Sequence, residues 1–268
     1  MSNILISSTN PCLIVYMIDQ SGSMSETIGN TQESLAQKLA DAINTFIVEI
    51  ALRCLDNTGI RNRFEIAVIG YGNGDDNVSS AWEGMLKNRW VVSISEVWNN
   101  PSRVIGEVPI WITPRAVSNT PMSKAFETAG EICQDWINWG NHRECMPPMI
   151  VNISDGDATD SGFGHRNLKA ITNHLKSLGT NNGNIQIFNM HISGSGGDAL
   201  TFPSTLVQNN RFSQTLFEIS SELTPSMIEC ANLRGYNIAS GAKGFVYNGN
   251  VSTMLDFLNI GSPLVYLT

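Results

Sequence analysis

Asp19, Ser21 and Ser23 alternate along one short loop, and Thr120 and the pair Asp155-Gly156 lie further along the chain. Carboxylates and hydroxyls are hard oxygen donors. Such a set suits a small divalent cation that takes oxygen ligands and keeps several waters: Mg2+ first, with Mn2+ or Ca2+ as alternatives. In a loop curling over a strand end, alternate side chains converge on one point, and Gly22 between the serines lets the backbone turn tightly. The set contains no His or Cys, which disfavours Zn2+ and Cu2+. The plainer reading of aspartates in loops after strands is that they cap helices and satisfy backbone amides.

Convergence requires elements that bring these loops to one rim. The run from Cys12 to Ile18 is continuously apolar, rich in β-branched residues and of strand length, as expected for a strand buried on both faces. Phe64–Tyr71, Met149–Ser154, Ile185–Ile192 and Gly244–Tyr247 read the same way. Helical spacing of apolar residues predicts helices over about 32–54, from Thr120-Pro121 onward, over Leu168–Leu178, and over Ser213–Leu223 and Ser226–Leu233, split by Pro225. A short helix over Ser252–Leu258 closes the chain. Thr120-Pro121 has the pattern of an N-cap followed by proline at the first helical position. Strands alternating with helices predict an α/β fold: a doubly wound, mostly parallel central sheet flanked by helices on both faces. In such sheets ligands bind beyond the carboxyl ends of the strands, where strand order reverses. Asp19 and Asp155 each directly follow a predicted strand.

Residues 73–115 are less regular, with short edge strands expected at Trp90–Ile94 and Pro109–Thr113. Trp82, Trp90, Trp98 and Trp111 fall in this stretch, read as a cover over one sheet edge rather than as an aromatic docking surface. No repeat, low-complexity tract or linker divides the chain, so residues 1–268 are expected to form a single domain.

A formal net charge of −8 argues against nucleic-acid and anionic-membrane partners, which select a basic face. The five cysteines lack CxxC spacing, and Cys12, Cys54 and Cys133 lie inside apolar patterns. They read as buried reduced thiols, fitting a reducing compartment. No signal-peptide pattern and no membrane-length apolar run is seen, so a cytoplasmic location is expected.

The pattern Asp19-x-Ser21-x-Ser23, then Thr120, then Asp155-Gly156 resembles the metal-ion-dependent adhesion site of the von Willebrand factor A domain family. The likeness runs through the strand and helix order of essentially the whole chain. Ala67–Gly72, Pro109–Trp111, Thr120–Met122, Ser154–Asp160 and Gly244–Tyr247 are most similar to stand-alone bacterial cytosolic members of the tellurium-resistance (TerY) type. The resemblance implies that Ser21 and Ser23 touch the metal directly, Thr120 directly or through water, and Asp19 and Asp155 mostly through bridging waters. It also implies association with a metal-dependent Ser/Thr phosphatase and a protein kinase. The family often has Gly-Gly before the threonine; Ser118-Asn119 stands there in this chain, giving that loop less freedom to switch.

Neutral hydroxyls and water leave a dication poorly neutralised, so an outside carboxylate is attracted by roughly 8 kcal/mol at ~4 Å and an effective dielectric near 20, before desolvation. The expected function is a metal-dependent protein–protein interaction module with a partner offering an acidic side chain or carboxylate. Its setting would be a regulatory or scaffold subunit of a bacterial signalling, stress-response or phage-defence system. An adaptor for a MoxR-type AAA+ ATPase is an alternative. A Mg2+-dependent phosphoester hydrolase is a further one, disfavoured because no second carboxylate cluster or catalytic constellation is seen. The remaining candidates read more plainly. Asp157 and Asp160 are expected as solvated loop carboxylates or a helix cap, and Gly194–Asp198 as a rim loop without a phosphate-binding fingerprint. His191 is expected near the core and His165 in the loop after Asp155.

Overall fold

The computed structural model of the chain describes residues 6–27, 32–74, 77–156, 158–160, 167–193, 198–206, 211–249, 253 and 256–257. Eight strands form the main sheet: β1 (Cys12–Asp19), β2 (Phe64–Tyr71), β3 (Val78–Ser80), β4 (Val91–Ser93), β5 (Met149–Ser154), β6 (Gln186–Ile192), β7 (Leu200–Thr201) and β8 (Phe245–Gly249). Their order is β7-β8-β6-β5-β1-β2-β3, with β4 also paired to β2. The central pairs β8–β6, β6–β5, β5–β1 and β1–β2 are parallel. Strands β3, β4 and β7 add antiparallel edges, so the sheet is mixed and mostly parallel.

All eight residues of β1 are buried. Alternation sends Leu13, Val15 and Met17 to one face and Cys12, Ile14, Tyr16 and Ile18 to the other. The first face packs beneath α3 (Met122–Asn138), α4 (Leu168–Leu175) and α5 (Arg211–Ile219). The second packs against α1 (Leu35–Arg53), α2 (Ile94–Asn99) and α6 (Pro225–Leu233). Ser34 opens α1 by accepting a hydrogen bond from the Gln37 backbone N–H at 3.1 Å.

The five long strands and the main helices fall where the apolar periodicity predicts them, with ends displaced by a few residues. The edge region differs. Only Val91–Ser93 of the predicted Trp90–Ile94 strand pairs, and the chain turns directly into α2. Pro109 belongs to a separate hairpin, Arg103–Ile105 with Val108–Ile110, off the main sheet. The helix predicted over Ser213–Leu223 ends at Ile219. Of the predicted closing helix, only Thr253, Asp256 and Phe257 are among the described residues.

The tryptophan cover is borne out for Trp82 and Trp111, which are buried, while Trp90 remains exposed. Asn44 of buried α1 pins this cover: its amide donates to Ile112 O and accepts from Trp111 N and Ile112 N, at 2.9–3.2 Å. Cys12, Cys54, Cys133 and Cys145 are buried and all five cysteines are free thiols. No helix among the described residues is long and apolar enough to cross a membrane.

Candidate metal centre

The strand order reverses at β1: the chain runs from β1 to β2 on one side, then crosses to β5 on the other. The carboxyl ends of β1 and β5 therefore flank the crevice where α/β sheets take ligands. Asp19 ends β1, and Asp155 follows the last residue of β5.

The Asp19 side chain is 1% exposed. Its Oδ1 accepts from the Ser21 backbone N–H at 2.8 Å, which folds the loop back over the strand end. Its Oδ2 accepts from Ser154 Oγ at 2.5 Å, joining the ends of the two strands. Ser21 Oγ and Ser23 Oγ lie 3.1 Å apart, and Ser23 Oγ donates to Asp155 Oδ1 at 2.9 Å. Four of the five predicted residues are thus drawn together, two of them in direct contact across 132 positions of sequence. Asp19 and Ser21 are buried and Ser23 is exposed, so the group opens outward at the Ser23 side.

Thr120 itself is bonded to Thr159, its N donating to Thr159 Oγ1 at 2.9 Å and its O accepting from Thr159 N at 3.0 Å, while the residues just before it contact the rim. Val117 N donates to Gln20 O at 2.8 Å, Gly22 N to Ser118 O at 2.8 Å, and Ser118 N to Gly72 O at 2.9 Å. The segment before Thr120 is therefore stitched to both the β1 loop and the β2 end. Thr120 itself is buried. It does not cap α3 as the Thr-Pro pattern predicts: Pro121 occupies the N-cap position and lends no side-chain bond. Asp160, itself buried, accepts from Ser123 N at 3.0 Å and Lys124 N at 2.9 Å instead. A carboxylate satisfies two orphan N–H groups and complements the helix dipole, so the distant aspartate takes the capping role. Asp160 is thus a cap and not a solvated carboxylate. Asp157, His165 and Gly194–Gly197 lie outside the described residues.

The electrostatics favour a cation. Burial pushes the Asp19 carboxyl up to about 6, against hydrogen bonds from Ser154 and Ser21, and the Asp155 charge pushes it the same way. Asp155 is also raised, first by burial, with Glu26 adding repulsion. Among the described residues the charged groups that act on these carboxyls are themselves acidic: Asp155 on Asp19, and Glu26 on Asp155. A divalent ion would supply the missing positive charge. The donors also fit in kind: two carboxylates and hydroxyl oxygens suit Mg2+ or Ca2+ rather than a soft metal. Among the described residues no three His, Cys, Asp or Glu side chains form a metal-holding group, so any ion here depends on the hydroxyls.

Several supporting residues escape a spacing argument. Ser154 clamps Asp19 and also accepts from Gly156 N at 3.1 Å. Asn152 and Ser154 are polar positions two apart in an otherwise apolar strand, and that alternation is the signal that places both on one face. Tyr71 Oη donates to Asn152, and Asn152 donates to Asn189, in a buried chain across the sheet beside the site. Gly72 has φ +94°, and a Cβ there would stand 2.5 Å from Asn119 O and 2.8 Å from Ser21 N. Only glycine lets these loops approach so closely. His191 is buried as expected; it stacks on Tyr247 at 4.8 Å and accepts from Asn248 N, and burial lowers its pKa to about 4.

No protein-family model and no curated protein sequence matches the chain. Solved structures share its fold. The pilus adhesin SpaC from Lactobacillus rhamnosus GG aligns over 96% of this chain and 31% of its own, with TM-score 0.54 and 13% identity. The PilB minor pilin from Streptococcus sanguinis aligns over 96% and 62%, with TM-score 0.51 and 12% identity. The chain thus spans less than two thirds of either. The vWF domain of the type V pili tip protein Mfa5 from Porphyromonas gingivalis aligns over 56% of this chain and 39% of its own, at TM-score 0.34 and 15% identity, too partial to bear on the fold. The class is therefore an α/β fold with a mixed, mostly parallel sheet between helices, shared with parts of a pilus adhesin and a minor pilin.

Proposed function

We propose that residues 1–268 form one doubly wound domain of the von Willebrand factor A type that holds a single divalent ion and uses it to grip an acidic segment of a partner protein. Mg2+ is the preferred ion, with Mn2+ or Ca2+ as alternatives. The observation that carries this reading is the hydrogen-bonded string from Asp19 through Ser21 and Ser23 to Asp155 at the reversal of strand order. Ser21, Ser23 and Thr120 would hold the ion with neutral oxygens, and Asp19 and Asp155 would balance its charge from beside it. When bound, the ion supplies uncompensated positive charge at the rim, which an outside carboxylate satisfies.

The role is non-enzymatic: a cytoplasmic regulatory or scaffold subunit of a bacterial signalling, stress-response or phage-defence system, acting with a phosphatase and a kinase. An adaptor for a MoxR-type AAA+ ATPase would use the same rim with another partner. The fold likeness to a pilus adhesin and a minor pilin favours a second reading, in which the rim mediates adhesion outside the cell. The five free cysteines fit a reducing compartment better.

The test is Mn2+ and Mg2+ titration calorimetry on wild type and Asp19→Ala, paired with capture of partners with and without EDTA. One ion bound per chain, lost in Asp19→Ala along with the captured partner, supports the reading. Equal ion uptake by both proteins, or partner capture indifferent to EDTA, overturns it.

A further inference from the structure

His191 lies near the carboxyl end of β6, opposite Ser154 in the register with β5, and so beside the residue that leads into Asp155. Three unusual features meet there. The first is a break in pairing on its other side. Met190 pairs with Val246 and Ile192 with Gly249, so His191 alone stands opposite both Tyr247 and Asn248. Such a bulge is rare between parallel strands, and bulges next to sites re-aim particular groups. The second is the backbone of Asn248, whose φ of 53° is left-handed. Non-glycine residues adopt it uncommonly, and such strain concentrates at functional sites. The third is the imidazole itself, a polar ring only 7% exposed. It stacks on Tyr247 with 10° between the planes and meets Phe212 of α5 edge-on, ring centroids 5.8 Å apart.

The bulge turns the Asn248 N–H onto this ring, where Nδ1 accepts it at 3.3 Å. Burial lowers the ring to about 4, so it is neutral at pH 7. A neutral ring whose Nδ1 accepts carries its proton on Nε2. The ring's other hydrogen bond is to the backbone of Asp155 and favours the protonated nitrogen, so the Asp155 carbonyl is the acceptor. His191 thus bridges β8 and the residue that follows β5. Asp155 needs such a hold: its carboxylate faces like charge on Asp19 and on Glu26, and its bond from Ser23 Oγ lies open to solvent. We propose that His191 is a positioning residue of the metal centre, holding the Asp155 carboxylate at the rim through the Asp155 backbone. The proposal rests on the metal-dependent reading above. His191 touches no ion in it and acts only through Asp155. Groups one step removed from the ligands in this way typically change metal affinity by roughly 10–100-fold when lost.

The experiment measures Mn2+ and Mg2+ affinity of the full chain by titration calorimetry for wild type, His191→Phe, His191→Asn and His191→Gln, with melting temperatures in EDTA alongside. Phenylalanine keeps the ring stacking and loses both hydrogen bonds. Glutamine can present an N–H where Nε2 lies, whereas asparagine offers an oxygen near Nδ1 and is too short to reach Asp155. His191→Phe and His191→Asn should bind one ion about tenfold more weakly, and His191→Gln should stay within about threefold of wild type. Proton–nitrogen correlation spectra of the metal-free wild type at pH 7 should place the ring proton on Nε2. If His191→Phe does not fold, the contrast between His191→Asn and His191→Gln decides. Unchanged affinity in His191→Asn overturns the positioning role, and the metal reading stands where Asp19→Ala still abolishes binding. An equal loss in every variant, or a ring proton on Nδ1, also overturns the role, because the ring would then act by shape and not through Asp155. A wild type that takes up no ion overturns the metal reading, and the positioning role falls with it.

Discussion

Replacing Asp19 by asparagine in EDTA-treated protein is expected to stabilise the fold above pH 6 and to leave it unchanged near pH 4. Burial raises the Asp19 carboxyl from its ordinary 3.8 to about 6. The folded chain therefore favours the protonated form. The stability this carries is fully present below 3.8 and is lost as pH rises through about 6. The gap between the two values corresponds to roughly 3 kcal/mol at neutral pH and above. The asparagine Oδ1 can still accept from Ser21 N, and its Nδ2 can donate to Ser154 Oγ, so the loop geometry is retained. At about pH 8 the variant should melt on the order of 5–10 °C above metal-free wild type for a chain of this size. Thermal melts by circular dichroism across this pH range check it. Mg2+ should raise the melting temperature of wild type at high pH, do so less near pH 4, and leave Asp19→Asn unmoved. A variant that is less stable than wild type in EDTA at high pH, or a gap that persists unchanged at pH 4, would refute the argument from buried charge.

Gly72→Ala should lower stability by about 1–3 kcal/mol, since the residue has positive φ and its Cβ would press on Asn119 O and Ser21 N. The same variant should lose most of its Mg2+-induced rise in melting temperature, read by differential scanning calorimetry. Asp160→Ala should cost about 1–2 kcal/mol by orphaning the N–H groups of Ser123 and Lys124. Urea unfolding measures this, and Asp160→Asn, which keeps one acceptor, should recover part of the loss.

Much of this architecture is legible before any coordinates. Continuous apolar runs such as Cys12–Ile18 demand burial on both faces, and helical stripes such as Leu35, Leu39, Ile43 and Phe46 demand a neighbouring layer. Those local patterns follow from chain geometry alone, so they give the parallel core and its helices directly. Of the short antiparallel edges, β4 falls inside the expected Trp90–Ile94 strand, whereas β3 and β7 were not readable, because edge pairing depends on which neighbours remain unsatisfied rather than on any period of their own. The five candidate ligands stand out by residue type and spacing. What brings them together does not, because a hydrogen bond such as Ser154 to Asp19 spans 135 positions and has no local signature. Likewise Thr-Pro reads as a cap, yet the tertiary structure gives the cap of α3 to Asp160, a stronger acceptor delivered from the other side of the crevice. Residue chemistry, set by the sequence alone, gives this rim carboxylate and hydroxyl oxygens as its donors. Only the folding of β1 against β5 decides that Asp19, Ser21, Ser23 and Asp155 meet there, because that meeting depends on distances between segments that no local pattern encodes.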